Sequence, residues 1–202
     1  MNGSAMHTVT ALKRWSCIDK QLPAVDRIRS IHIYDFDNTL FSSPLPNRQL
    51  WASGTCGQLQ GQDFLHNGGW WHNPQILAAT GEGLEIEESR AWEGFWNEKI
   101  VELVELSMAE DDAVSILLTG RSESGFADLI GRMAAAKGLE FDMVCLKPRT
   151  SPTGEVFSST LTFKQALLRD IVFTYRGADD LRMYEDRPKH TKAFRDFFAD
   201  FN

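Results

Sequence analysis

The chain has 202 residues, 43% hydrophobic and 24% charged, which gives room for one globular domain with a modest insertion rather than two full domains. No apolar run is long enough to span a membrane, the N-terminus lacks the apolar stretch of a secretory signal, and Cys17, Cys56 and Cys145 form neither a zinc pattern nor a disulfide framework, so a reducing, intracellular setting (cytoplasmic or nuclear) is expected. A net charge of −7 weighs against a nucleic-acid partner, yet residues 42–112 hold 12 acids and 3 bases, so the acidity is confined to one stretch and an anionic substrate elsewhere is allowed.

Residues 1–30 read as an N-terminal extension with a short amphipathic piece near Val9–Ile18. The β-formers Ile31, Ile33 and Tyr34 then predict a central strand, 31–35, which emerges into Asp35 and Asp37. Two carboxylates one residue apart repel, so the pair implies a cation or a reaction. Residues 42–91 are rich in turns but hold Trp51, Phe64, Trp70 and Trp71, too aromatic for a floppy linker, and read as an insert. Trp92, Trp96, Ile100, Leu103 and Val104 recur at helical spacing and predict a helix over 90–110 with both tryptophans in the core. A buried strand follows at 113–118, then a helix over 124–137 stopped by Gly138. "FDMVCLK" is a third strand. "TLTFKQALLRDIVFTY" is a helix with Thr160 or Thr162 as N-cap. "LRMYED" is a fourth strand, and 188–199 a last helix. This alternation predicts an α/β fold over 31–202, a doubly wound parallel sheet with an aromatic, acidic insert after strand one.

In such sheets functional groups gather beyond the carboxyl ends of the strands. Asp35 and Asp37 follow strand one, Thr119 and Arg121 strand two, Lys147 strand three, Glu185 and Asp186 strand four. Oxygen ligands without a His or Cys cluster suit Mg2+, which is usually shared between carboxylates and phosphate oxygens. One carboxylate can then act as nucleophile and the other as acid and base, while a hydroxyl and a lysine hold the phosphoryl oxygens.

"DFDNT" resembles motif I, D-x-D-x-T, of the haloacid dehalogenase-like (HAD) hydrolases. "LLTGR" resembles motif II, a lysine at the head of a helix motif III, and "MYEDR" motif IV, all in the family's order. Within that superfamily, "YDFDNTLF", "PLPNRQLW", "GGWWHNPQIL" and "YEDRPKH" resemble the Swiss-army-knife RNA-repair-like group known mainly from fungi. Such proteins often continue into a further region, so a short member or a fragment is expected. The resemblance implies Asp35 as nucleophile and metal ligand. It implies Asp37 as acid/base, with its main-chain carbonyl a ligand, Thr119 as phosphoryl-binding, Asp186 as a direct Mg2+ ligand and Glu185 as one acting through water. Thr39 would tie the motif I turn in place. Motif III has two claimants, Lys147 and Lys164, of which Lys164 is favoured. Arg121, Lys147 and Arg187 are candidate substrate contacts, as are Arg149, Lys189 and His190 more remotely.

The aromatics Trp51, Trp70 and Trp71, with His72, could stack bases, although packing of a small cap accounts for them more cheaply. The implied activity is that of a Mg2+-dependent phosphatase with an aspartyl-phosphate intermediate. Its partner would be a phosphorylated RNA or nucleotide end. Alternatives are a small-metabolite or phosphoprotein phosphatase and a phospho-ligand binder without turnover.

Overall fold

A run of β-branched and aromatic residues at Ser30–Tyr34 (β1) is buried on both faces, as a central strand of a parallel sheet must be. The computed structural model describes residues 7–61 and 69–199; Phe64 of the insert lies outside them. In chain order the elements are α1 (Val9–Lys13), β1, α2 (Ser53–Gln60), α3 (Pro74–Ala78), α4 (Leu84–Ser89), α5 (Glu98–Ala109), β2 (Ala113–Ser122), α6 (Glu123–Lys137), β3 (Met143–Lys147), α7 (Thr160–Thr174), β4 (Asp180–Tyr184) and α8 (Pro188–Ala199). The four strands pair in the order β3-β2-β1-β4, all parallel. Tyr34 stands opposite Leu117 and Tyr184, so the next residues of three strands emerge at one rim.

Strand alternation sends side chains to two cores. Tyr34, Leu117, Val144 and Leu146 pack with Val104 of α5 and Phe126, Ile130 and Met133 of α6. Ile31, Ile33, Val114, Ile116 and Leu118 pack on the other face with Phe163, Leu167 and Ile171 of α7 and Phe194 of α8. The sheet is thus doubly wound. Leu12, Trp15, Leu22 and Ile28 from the N-terminal extension join this second core, and Trp15 Nε1 donates to Asp170 at 2.8 Å. No helix among the described residues is long and apolar enough to cross a membrane.

The helix expected over 90–110 starts only at Glu98. Ala91 and Trp92 have φ of 50° and 51°, and Gly94 has 84°, so the chain turns here instead of coiling. Trp92 and Trp96 still reach the core, because Trp96 pairs antiparallel with Phe41 in an isolated bridge and its ring stands edge-on to Phe41 at 5.0 Å. This bridge is the neck of the insert: Ser42 N–H donates to the Phe95 carbonyl at 2.7 Å and Asn97 N–H to that of Leu40 at 2.9 Å. The insert leans on α6, where Arg132 Nε donates to Glu88 at 2.7 Å. The N-cap of α7 is Ser159, not Thr160 or Thr162; Ser159 and Thr162 cap each other's backbone N–H in a reciprocal box. β2 runs past 118 to Ser122 through an irregularity after Thr119.

Candidate active site

The segment after β1 makes a tight turn. Asp35 N–H donates to the Tyr184 carbonyl at 3.0 Å, Phe41 N–H returns to the Phe36 carbonyl at 2.9 Å, and Asn38 takes a φ of 58°. Thr39 fastens this turn to the end of β4, its hydroxyl accepting the Asp186 N–H at 3.0 Å. Asp35 and Asp37 both face a cavity of about 390 Å3, with Arg121, Asp186, Arg187 and Trp71 in its walls.

Beneath the cavity lies Lys164 of α7, fully buried. Its Nζ donates to Asp35 Oδ1 at 2.5 Å and to Glu185 Oε2 at 2.8 Å, and the two carboxylate side chains are only 3% and 2% exposed. Glu185 also accepts from Arg187 Nε at 3.0 Å, and His190 Nδ1 lies 3.4 Å from it. Asp35, Glu185 and Asp186 each offer an oxygen within 4.8 Å of the others. Burial pushes the Asp35 carboxyl up to about 7 against the pull of the Lys164 ammonium. Burial works against charge on Glu185 as well, but Lys164 and Arg187 outweigh it and hold that carboxyl down to about 2. Asp186 is raised by burial and by the Glu185 charge.

These three acids suit a hard cation. All donors are oxygen, and Lys164 and Arg187 both lean on Glu185, whereas Asp186 has no ion pair among the described residues.

Asp37 has its own partners. Arg121 Nε reaches both of its oxygens at 3.1 Å and Nη2 reaches Oδ1 at 2.7 Å. Ser43 Oγ donates to Oδ1 at 2.6 Å, and Thr119 Oγ1 to Oδ2 at 3.4 Å. The Arg121 guanidinium, almost wholly buried, also donates to the Trp71 carbonyl at 3.0 Å and lies over the Trp71 and Phe126 rings at 5.1 and 4.7 Å. It therefore fastens the insert to the rim of the sheet. Between Thr119 and Arg121 only glycine fits: a Cβ on Gly120 would meet Thr160 Cγ2 at 2.3 Å.

Seven of the residues expected at the site thus come together: Asp35, Asp37, Thr119, Arg121, Lys164, Glu185 and Asp186, with Arg187 at the mouth. Lys147 does not join them; it lines a neighbouring depression with Arg149. Lys189 is exposed on α8. Sequence reasoning missed Ser43, Thr160 and the Trp71 carbonyl. Ser43 lies in a turn-rich stretch where no local pattern marks it, and a main-chain acceptor leaves no trace in residue type.

A family model described as HAD domain family 1 in Swiss Army Knife RNA repair proteins matches residues 43–202. The match takes in Thr119, Lys164, Glu185 and Asp186, and begins just after the turn that carries Asp35 and Asp37. An uncharacterized protein of Saccharomyces cerevisiae (YMR265C) is 37% identical over 180 residues, covering 85% of this chain and 37% of that protein. The chain spans little more than a third of the length of this relative. No solved structure matches it.

Proposed function

Because the chain belongs to the HAD domain family of Swiss Army Knife RNA repair proteins, a hydrolase type, we propose that it is a Mg2+-dependent phosphatase that removes an end phosphate from a nucleic acid or nucleotide. The observation that carries this reading is Asp35, buried against Lys164 beside Glu185 and Asp186 and sharing one cavity with a second acid two residues on.

In the proposed reaction an Asp35 carboxylate oxygen attacks phosphorus, and the bond to the leaving oxygen breaks as Asp37 gives that oxygen a proton. Water then attacks the phosphoaspartate, Asp37 takes its proton, and inorganic phosphate leaves with Asp35 restored. Lys164 holds Asp35 in line and keeps positive charge under the phosphoryl group. The Thr119 hydroxyl serves the phosphoryl oxygens and Asp37 alike. Arg121 grips the Asp37 carboxylate through two of its nitrogens and so fixes the direction in which Asp37 faces the cavity. Mg2+ would be held by Asp35, Asp186 and the Asp37 main-chain carbonyl, with Glu185 behind them, and when bound would offset charge on the phosphoryl oxygens.

A small phosphorylated metabolite is the second reading, favoured by the acidic insert over the site, which suits no long polyanion. A panel of 3′- and 5′-phosphorylated RNA and DNA ends, mononucleotides and sugar phosphates, run with wild type and Asp35→Asn, tests both. The proposal expects Mg2+-dependent release of phosphate from an end, lost in the variant. Preference for sugar phosphates would favour the second reading, and binding without turnover in the wild type would make the chain a phospho-ligand binder.

A further inference from the structure

A second depression, of about 280 Å3, adjoins the catalytic cavity and shares Gly120 and His72 with it. Its walls carry Lys147 and Arg149 from the end of β3, the hydroxyls of Ser122 and Ser124, and the ring of Phe157. Neither cation has an ion pair or a side-chain hydrogen bond among the described residues, while every other cationic side chain of the catalytic site (Lys164, Arg121, Arg187) is bound to a carboxylate. Ser122 precedes α6 as its N-cap residue, and its hydroxyl makes no cap bond among the described residues. Phe157 is held edge-on by Phe163 at 5.5 Å and is fixed as a wall. The exposed Glu123 of the first turn of α6 is not among the lining groups. Two cations without an ion pair among the described residues, with hydroxyl donors in a concavity adjoining the catalytic one, form a place for a second anion beside the first.

We infer that this depression is a second anion subsite, which takes the phosphodiester next to the terminal phosphate and so selects the end of an oligonucleotide over a mononucleotide. The inference rests on the phosphatase reading and deepens it. It also accommodates the acidic insert, because only a short stretch of strand needs to lie on the basic side of the site. Arg149 is exposed and Lys147 half-buried, so both can be changed without opening a core.

The test is the double variant Lys147→Ala/Arg149→Ala, with thermal melting to verify the fold. Turnover of an end-phosphorylated trinucleotide, a mononucleotide, a sugar bisphosphate and an aryl phosphate is compared in both proteins. Wild type should favour the trinucleotide over the mononucleotide. In the variant, trinucleotide kcat/KM relative to the aryl phosphate should fall at least about tenfold, chiefly through KM, as expected for loss of charge-assisted contacts. Its dependence on salt should become shallower by about 0.7 in log–log slope, for the one single-strand phosphate no longer neutralised. Equal loss on all four substrates, or no preference in wild type, overturns the subsite. Preference for the sugar bisphosphate over the trinucleotide keeps a second anion but overturns the oligonucleotide. Should wild type turn over nothing, the same comparison is made by anisotropy with a labelled end-phosphorylated trinucleotide. Binding weakened by the double variant then upholds the subsite although the phosphatase reading has failed, and unchanged binding overturns it.

Discussion

Lys164 offers the sharpest perturbation. Its ammonium is fully buried and bridges Asp35 at 2.5 Å and Glu185 at 2.8 Å. Lys164→Met keeps most of the side chain's volume and removes the charge, leaving two carboxylates side by side with almost no contact with water. Breaking a buried ion pair by deleting one partner costs about 3–5 kcal/mol. For a chain of this length each kcal/mol shifts the midpoint by about 2–4 °C, so a fall of roughly 6–20 °C is expected. The assay is thermal unfolding followed by circular dichroism in EDTA at pH 8. The loss should shrink at pH 5, where the stranded acids can take up protons, and Mg2+ should recover part of it. Lys147→Met is the control: with no partner to strand, it should stay within about 0.5 kcal/mol of wild type, or roughly 2 °C. A Lys164→Met midpoint within that margin of wild type, or a Lys147→Met fall of equal size, would refute the reasoning that Lys164 is the amine around which the acids assemble.

Three further expectations follow from the geometry. Mg2+ should bind the Asp35 carboxylate and not its acid form; since the metal-free carboxyl is raised to about 7, affinity should fall as pH drops through that value, by up to about tenfold per unit. Calorimetry between pH 6 and 8 measures this, and a flat affinity contradicts it. Arg121→Lys keeps the charge but loses the fork that grips Asp37 and the Trp71 carbonyl, so kcat should fall by about tenfold or more with a smaller change in KM; an unchanged kcat would separate Arg121 from Asp37. Gly120→Ala should destabilise by about 1–3 kcal/mol through the clash with Thr160, and Thr160→Ala in the same chain should recover much of that, as read by denaturant titration.

The strands and the acids at their ends were legible because a parallel sheet forces both faces of each central strand to be apolar and delivers polar residues at one rim. Asp35 and Thr119 each come directly after such a run, and Glu185 directly after the edge strand β4, which pairs in register with β1. Lys164 is preferred to Lys147 on the resemblance alone, whose pattern has a helix-borne lysine ahead of the acidic strand; the structure places Lys164 between Asp35 and Glu185. What escaped had physical causes. Trp92 and Trp96 are spaced like neighbours on a helix, and periodicity reports burial without reporting the path by which the backbone achieves it; here the path is a turn through positive φ. Several Ser and Thr residues stand together before α7, and only the reciprocal bond between Ser159 and Thr162 selects the cap. Ser43 and the Trp71 carbonyl reach Asp37 and Arg121 through the insert, whose fold over the sheet depends on a two-strand neck at Phe41 and Trp96 that has no local signature.

The role assigned to Asp35 can be tested directly by trapping. Wild type mixed with radiolabelled end-phosphorylated substrate and Mg2+, quenched in acid within the first turnover and mapped by peptide, should carry label on the peptide that contains Asp35, and Asp35→Asn should carry none. Label on a different peptide, or label retained by the variant, would contradict the account.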